Sequence, residues 1–240
     1  LANKRVSNTF RIDYRFTLPD RRREDISLRF DRATMVLRNH PRQSPPFWTE
    51  LTFNQCSHCP LSKTEYPHCP VALNLVTVYH RMGKLMSFDK VTVNIITEQR
   101  RICNRCSAQE AISSIMGLVI AASRCPHTHF LKPMARFHLP FANREETIWR
   151  ALATYLLARH FEGLKKADLS LDGLVKIYDN IARINDAMVV RLRAASRKDS
   201  MVNALVHLDV FAKFMMPPLD DTLASIRALF KPFLENGFRK

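Results

Sequence analysis

From residue 10 the chain alternates between apolar and polar positions. Phe10, Ile12, Tyr14, Phe16 and Leu18 interleave with Arg11, Asp13, Arg15 and Thr17, the period-two signature of a half-buried strand. Pro19-Asp20 opens a turn. Ile26, Leu28 and Phe30 then supply the inward face of a second strand, which the pattern extends toward Met35 and Leu37 after a break near Asp31. The two predict an antiparallel hairpin with a polar tip at residues 19–25. Val91, Val93 and Ile95 predict a further strand, with residues 100–105 returning as its partner.

The period then changes. Pro70 stands where a helix begins, and residues 71–82 follow helical spacing, with proline suited to the first helical position. Ser107-Ala108-Gln109-Glu110 has the capping-box spacing and predicts a helix to about Ser123. A helix follows Asn143-Arg144-Glu145-Glu146, with Ile148, Ala151, Leu152, Tyr155 and Leu156 on one face. Residues 174–194 give another, through Leu174, Ile177, Tyr178, Ile181, Ile184, Met188 and Leu192. Residues 199–215 predict a helix stopped by Pro217-Pro218, and Asp220 or Asp221 caps a last one to about Leu234. Acidic residues from Asp168 to Asp172 read as helix-start charges. The fold class predicted is α+β: N-terminal antiparallel β hairpins carrying a Cys/His loop (residues 1–106), packed on a C-terminal antiparallel helical bundle (residues 107–240). A proline-rich connection, residues 39–50, leads into the apolar segment Phe47 to Phe53.

Composition narrows the classes. With 240 residues, 46% of them hydrophobic, the chain can bury a substantial core. The longest apolar stretch, Ile112 to Ala122, is too short to span a bilayer, so no transmembrane segment is expected. The opening residues carry no secretory pattern, and a reducing, cytoplasmic setting is expected. The net charge of +15 makes an acidic partner, protein or nucleic acid, a candidate. Arginines 11, 15, 21–23 and 29 near Tyr14 and Phe30 are the candidate nucleic-acid surface, although those aromatics fall on the apolar face and read as core. No Gly-rich phosphate loop, His-Glu-x-x-His, Gly-x-Ser-x-Gly or EF-hand pattern occurs, which argues against nucleotide hydrolysis and α/β-hydrolase chemistry.

The cysteines carry the chemistry. Cys56-Ser57-His58-Cys59-Pro60 is followed by His68-Cys69-Pro70, and a third segment reads Cys125-Pro126-His127-Thr128-His129. A Cys-x-x-Cys turn lets two thiolates reach one ion, and zinc takes four Cys or His ligands. Cys56, Cys59 and Cys69 are the first candidates, with Cys125, His127, His58 or His68 as the fourth ligand and His68, next to Cys69, ranked below Cys125. Four thiolates also suit an iron–sulfur cluster. A Cys125–His127 pair resembles an activated thiol, with Lys132, Arg136 and His138 nearby in sequence to meet an anionic substrate. Cys103-Asn104-Arg105-Cys106 repeats the spacing at the end of a predicted strand, just before a helix N-cap, where a thiol's pKa is lowered.

Residues 53–61, 68–75, 125–128, 132–140 and 199–205 together resemble a bacterial family of uncharacterised proteins, a domain of unknown function. The resemblance covers most of residues 10–235, and Cys103 and Cys106 lie outside its motifs. It implies an intact cysteine site and a bacterial cytoplasmic origin, and it implies no activity. From the residues, a metal-binding interaction or regulatory protein with structural zinc is expected first. A thiol or iron–sulfur redox enzyme is the second reading, and a nucleic-acid-binding protein the third.

Overall fold

The computed structural model describes residues 7–39, 44–163, 170–196, 198–215 and 220–236. Four strands form one antiparallel sheet: β1 (Thr9–Thr17), β2 (Arg23–Asp31), β3 (Lys90–Ile96) and β4 (Arg101–Ser107), in the order β2-β1-β3-β4. Both predicted hairpins form, and β1 joins them by pairing with β3. The register places apolar residues opposite one another. Phe10 faces Phe30 and Ile12 faces Leu28, while Tyr14 sits between Ile26 and Ile95. A one-residue slip would turn that whole apolar set to the other face. The Phe10 and Phe30 rings stack at 5.3 Å between centroids.

β2 does not continue through Met35 and Leu37. It ends at Asp31, whose carboxylate accepts from the amides of Ala33 and Thr34 and from the Thr34 hydroxyl. That local bonding competes with the ladder and turns the chain. Leu37 returns only as an isolated bridge to Phe30.

The helices are α1 (Pro70–Met82), α2 (Ala108–Ala121), α3 (Lys132–Arg136), α4 (Arg144–Phe161), α5 (Asp172–Ala195), α6 (Ser200–Lys213) and α7 (Asp220–Asn236). The predicted capping box at Ser107 and Glu110 closes in both directions, and Asn143 with Glu146 makes a second. The sequence pattern missed α3 and the 3-10 turns at Phe47–Thr49 and Pro126–Leu131, because elements of three to six residues are too short to show a period. Residues His40 to Gln43, Asp168, Pro217 and Pro218 lie outside the described residues.

Two apolar clusters organise the molecule. The larger joins the inner face of the sheet to α1, α2, the C-terminal half of α5 and the start of α6. α2 is its axis: Ile112, Ile115, Met116 and Val119 are wholly buried. The smaller takes Ile148, Leu152 and Tyr155 from α4, Leu174, Tyr178 and Ile181 from α5, then Ala212, Met215 and Ile226. No helix among the described residues is long and apolar enough to cross a membrane.

Candidate metal centre

The cysteine loop is irregular backbone tied down at both ends. Leu51 N–H donates to the Pro67 carbonyl and Cys69 N–H to the Thr49 carbonyl, and Glu50 bridges His68. The Thr49 hydroxyl donates to the Pro46 carbonyl at 2.6 Å. Its single hydrogen is therefore used, and His68 donates to it from Nδ1 at 2.9 Å. Asn54 takes the left-handed conformation, φ 48°, which its short side chain tolerates. Cys59 N–H then closes on the Cys56 carbonyl at 3.0 Å, making the tight turn that the Cys-x-x-Cys spacing predicts.

Cys69 and Cys125 are placed by a shared device. Each is the N-cap of a helical segment, α1 or the 3-10 turn at residues 126–131, and each is followed by a proline at the first helical position. The amides of Val71 and Ala72 favour a thiolate at Cys69, and that of His127 favours one at Cys125. None closes a capping hydrogen bond onto sulfur.

These placements bring the four predicted cysteines together. The Cys125 thiol lies within electrostatic reach of Cys69, Cys56 and Cys59, and Cys56 within reach of Cys69 and Cys59. Burial dominates the acidity of Cys56, Cys69 and Cys125. It pushes Cys56 up to about 11 and Cys125 up to about 12, with neighbouring thiols adding to the rise, and it raises Cys69. Without a metal these thiols are protonated at neutral pH, the opposite of an activated nucleophile. Among the described residues no three Cys, His, Asp or Glu side chains converge closely enough to hold an ion as they stand. Loading would require the thiols to draw closer and lose their protons.

Beside the thiols lies a residue the sequence reading missed. Arg191 on α5 is 1% exposed. Its Nη1 donates to the carbonyls of Trp48 at 2.6 Å and Glu50 at 2.7 Å, and its Nη2 to that of Leu51 at 3.0 Å. Its Nε has no partner. Among the described residues no carboxylate pairs with it; the groups that favour its charge are Cys69, Cys56 and Cys59, against the burial that lowers its pKa. Arg191 falls three residues after Met188 and one before Leu192, on the inward stripe of α5, so its burial was readable from the sequence but its partners were not.

His127 follows Cys125 by two residues, and its ring meets His58. Its Nε2 donates to the His58 carbonyl at 3.0 Å, and the two rings lie 4.3 Å apart between centroids. Both ring nitrogens of His58 are buried without a hydrogen bond. Burial lowers the His58 pKa, with His127 and Arg183 adding to the effect.

Other predicted groupings disperse. Cys103 and Cys106 lie on β4, where residues three apart point to opposite faces. Cys103 is exposed and Cys106 buried. Burial, then Glu110, raises the Cys106 thiol to about 11, so the expected lowering at a helix start does not occur. Lys132 donates to the Thr34 carbonyl at 3.0 Å, Arg136 lies 4.6 Å over the Phe10 ring, and His138 bonds the Tyr14 hydroxyl at 2.5 Å. Tyr14 and Phe30, the aromatics of the candidate nucleic-acid surface, are both wholly buried. Of its arginines, Arg11 pairs with Asp13 and Arg22 with Asp20.

Comparison with known proteins places the chain in a family. A model for a domain of unknown function, DUF6901, matches residues 12–231, a span that holds all six cysteines. The chain belongs to this family. No curated protein and no solved structure matches it.

Proposed function

We propose that this chain is a metal-binding interaction or regulatory protein, with a structural zinc ion held by the thiolates of Cys56, Cys59, Cys69 and Cys125. One observation carries the reading. Arg191 is a buried cation whose anionic neighbours are thiols and not carboxylates. A buried guanidinium is costly without a counter-charge, and neutral thiols supply none. Four thiolates around a divalent ion carry a net charge of about −2, which answers that need. The N-cap amides at Cys69 and Cys125 support the same ionised state.

The site joins a loop with little regular structure to the starts of two helical segments and, through Arg191, to α5. A metal there would fix the loop by its ligands, as structural sites do. A reducing cytoplasm would keep the thiols free to bind, and the charge of +15 points to an acidic partner.

Elemental analysis and a visible spectrum of protein purified without oxygen test this reading. About one zinc per chain and no colour are expected. Iron with a broad absorption toward the blue would replace it with the iron–sulfur redox reading. No metal, and none taken up by the reduced protein, would overturn it.

A further inference from the structure

The meeting of the two apolar clusters leaves a cleft of about 390 Å³, away from the cysteines. α2, α6 and the segment after α3 line one part of it, and Arg150 of α4 with Tyr178 of α5 line another. That volume falls in the range of small-molecule sites. At about 30 Å³ per water-sized group it holds about a dozen non-hydrogen atoms.

The polar groups of the wall divide into two kinds. Near α2 they satisfy one another. Ser113 Oγ bonds His207 Nδ1 at 3.1 Å, and the Tyr14 hydroxyl links Ser114 at 3.0 Å with His138 at 2.5 Å. The other kind has capacity to spare. Tyr178 is 4% exposed, lines the cleft, and its hydroxyl makes no hydrogen bond among the described residues. Arg150 lies within electrostatic reach of that phenol. Its Nη2 is fixed by the carbonyls of Met134 at 2.6 Å and Phe137 at 3.1 Å, while Nη1 and Nε make no bond among the described residues. Glu146, its acidic neighbour on α4, is engaged by the Asn143 amide. Glu110 lines the cleft by α2 and would repel an anion there. Between the two lie Gly117, Leu118, Ala121, Leu208 and Phe211, an apolar floor kept low by its small residues.

We infer that this cleft binds an aliphatic monocarboxylic acid of about ten carbons, its carboxylate on the Arg150 guanidinium and the Tyr178 hydroxyl and its chain between α2 and α6. A guanidinium and a phenol O–H both donate, as a carboxylate requires. The small residues at 117 and 121 leave room for methylenes.

Titration calorimetry of the full chain with decanoate and with 1-decanol tests the assignment. One decanoate per chain is expected, with decanol and the Arg150→Met variant each at least about tenfold weaker, as loss of a charge-assisted pair requires. Tyr178→Phe should weaken decanoate about fivefold and leave decanol unchanged. Gly117→Leu should cost decanoate more than hexanoate, because a Cβ at that position reaches the Leu208 side chain at 3.4 Å. Thermal midpoints identify any variant that fails to fold. Should Arg150→Met fail, the decanol comparison and Tyr178→Phe still decide. Equal binding of acid and alcohol, no binding of either, or no effect of Tyr178→Phe would overturn the proposal.

Discussion

The chain contains two Cys-x-x-Cys pairs, and they have opposite fates. Cys56 and Cys59 sit on a turn closed by one backbone hydrogen bond, within electrostatic reach of Cys69 and Cys125. Cys103 and Cys106 sit on β4, where the pleat sends one thiol to solvent and the other into the core. Equal spacing can bring two thiols to one ion only where the backbone turns. On a strand, the period of two separates positions three apart. The pairs also differ in company: a buried guanidinium stands beside the first, and Glu110 beside the second.

The strongest test of that difference is Cys69→Ser against Cys103→Ser. Cys69→Ser should abolish zinc retention and lower the thermal midpoint by about 20 °C or more, as much of the about 10 kcal/mol that a structural zinc contributes is lost at about 2–4 °C per kcal/mol. Cys103→Ser should keep its zinc and change stability by less than about 0.5 kcal/mol. Equal losses in the two variants, read by metal content and melting curves, would dissolve the contrast.

Arg191→Met comes next. It removes the guanidinium from the Trp48, Glu50 and Leu51 carbonyls, of which Glu50 keeps the Phe53 amide, and takes the cation from the proposed thiolates, and should destabilise the chain by about 3 kcal/mol or more in denaturant unfolding. A variant as stable as the parent would detach Arg191 from the site.

Thiol labelling sharpens the comparison further. At neutral pH Cys103 should react first with a maleimide, and Cys56, Cys69 and Cys125 at least about tenfold more slowly, since burial holds them protonated and a metal would mask them. Mass mapping of the labelled peptides reads the order, and fast modification of Cys125 would restore the activated-thiol reading. A small effect is expected at Cys106→Ala, about 1 kcal/mol for the loss of one small buried side chain, with zinc content unchanged.

Local chemistry made much of the fold legible. The alternation at Phe10 to Leu18, the proline before Val71 and the capping box at Ser107 each act within a few residues, and each formed as expected. The end of β2 was misjudged because the Asp31 carboxylate captures local amides, a competition that hydrophobic periodicity does not report. Cys56, Cys59, Cys69 and Cys125 were legible as candidates from their spacing and their prolines. Arg191 was not, because a charged residue on an apolar stripe acquires meaning only once its partners are known.

By itself, then, the sequence determined the strands, most of the helices, the capping boxes at Ser107 and Asn143 and a set of candidate metal ligands, because propensity, period and capping are short-range. Tertiary structure alone decided three things. It brought Cys125 to a loop about sixty residues earlier and set Arg191 of α5 against the Trp48, Glu50 and Leu51 carbonyls. It also opened a cleft where two cores meet. Each depends on how distant elements pack, and packing is a property of the assembled layers and not of any window of the chain.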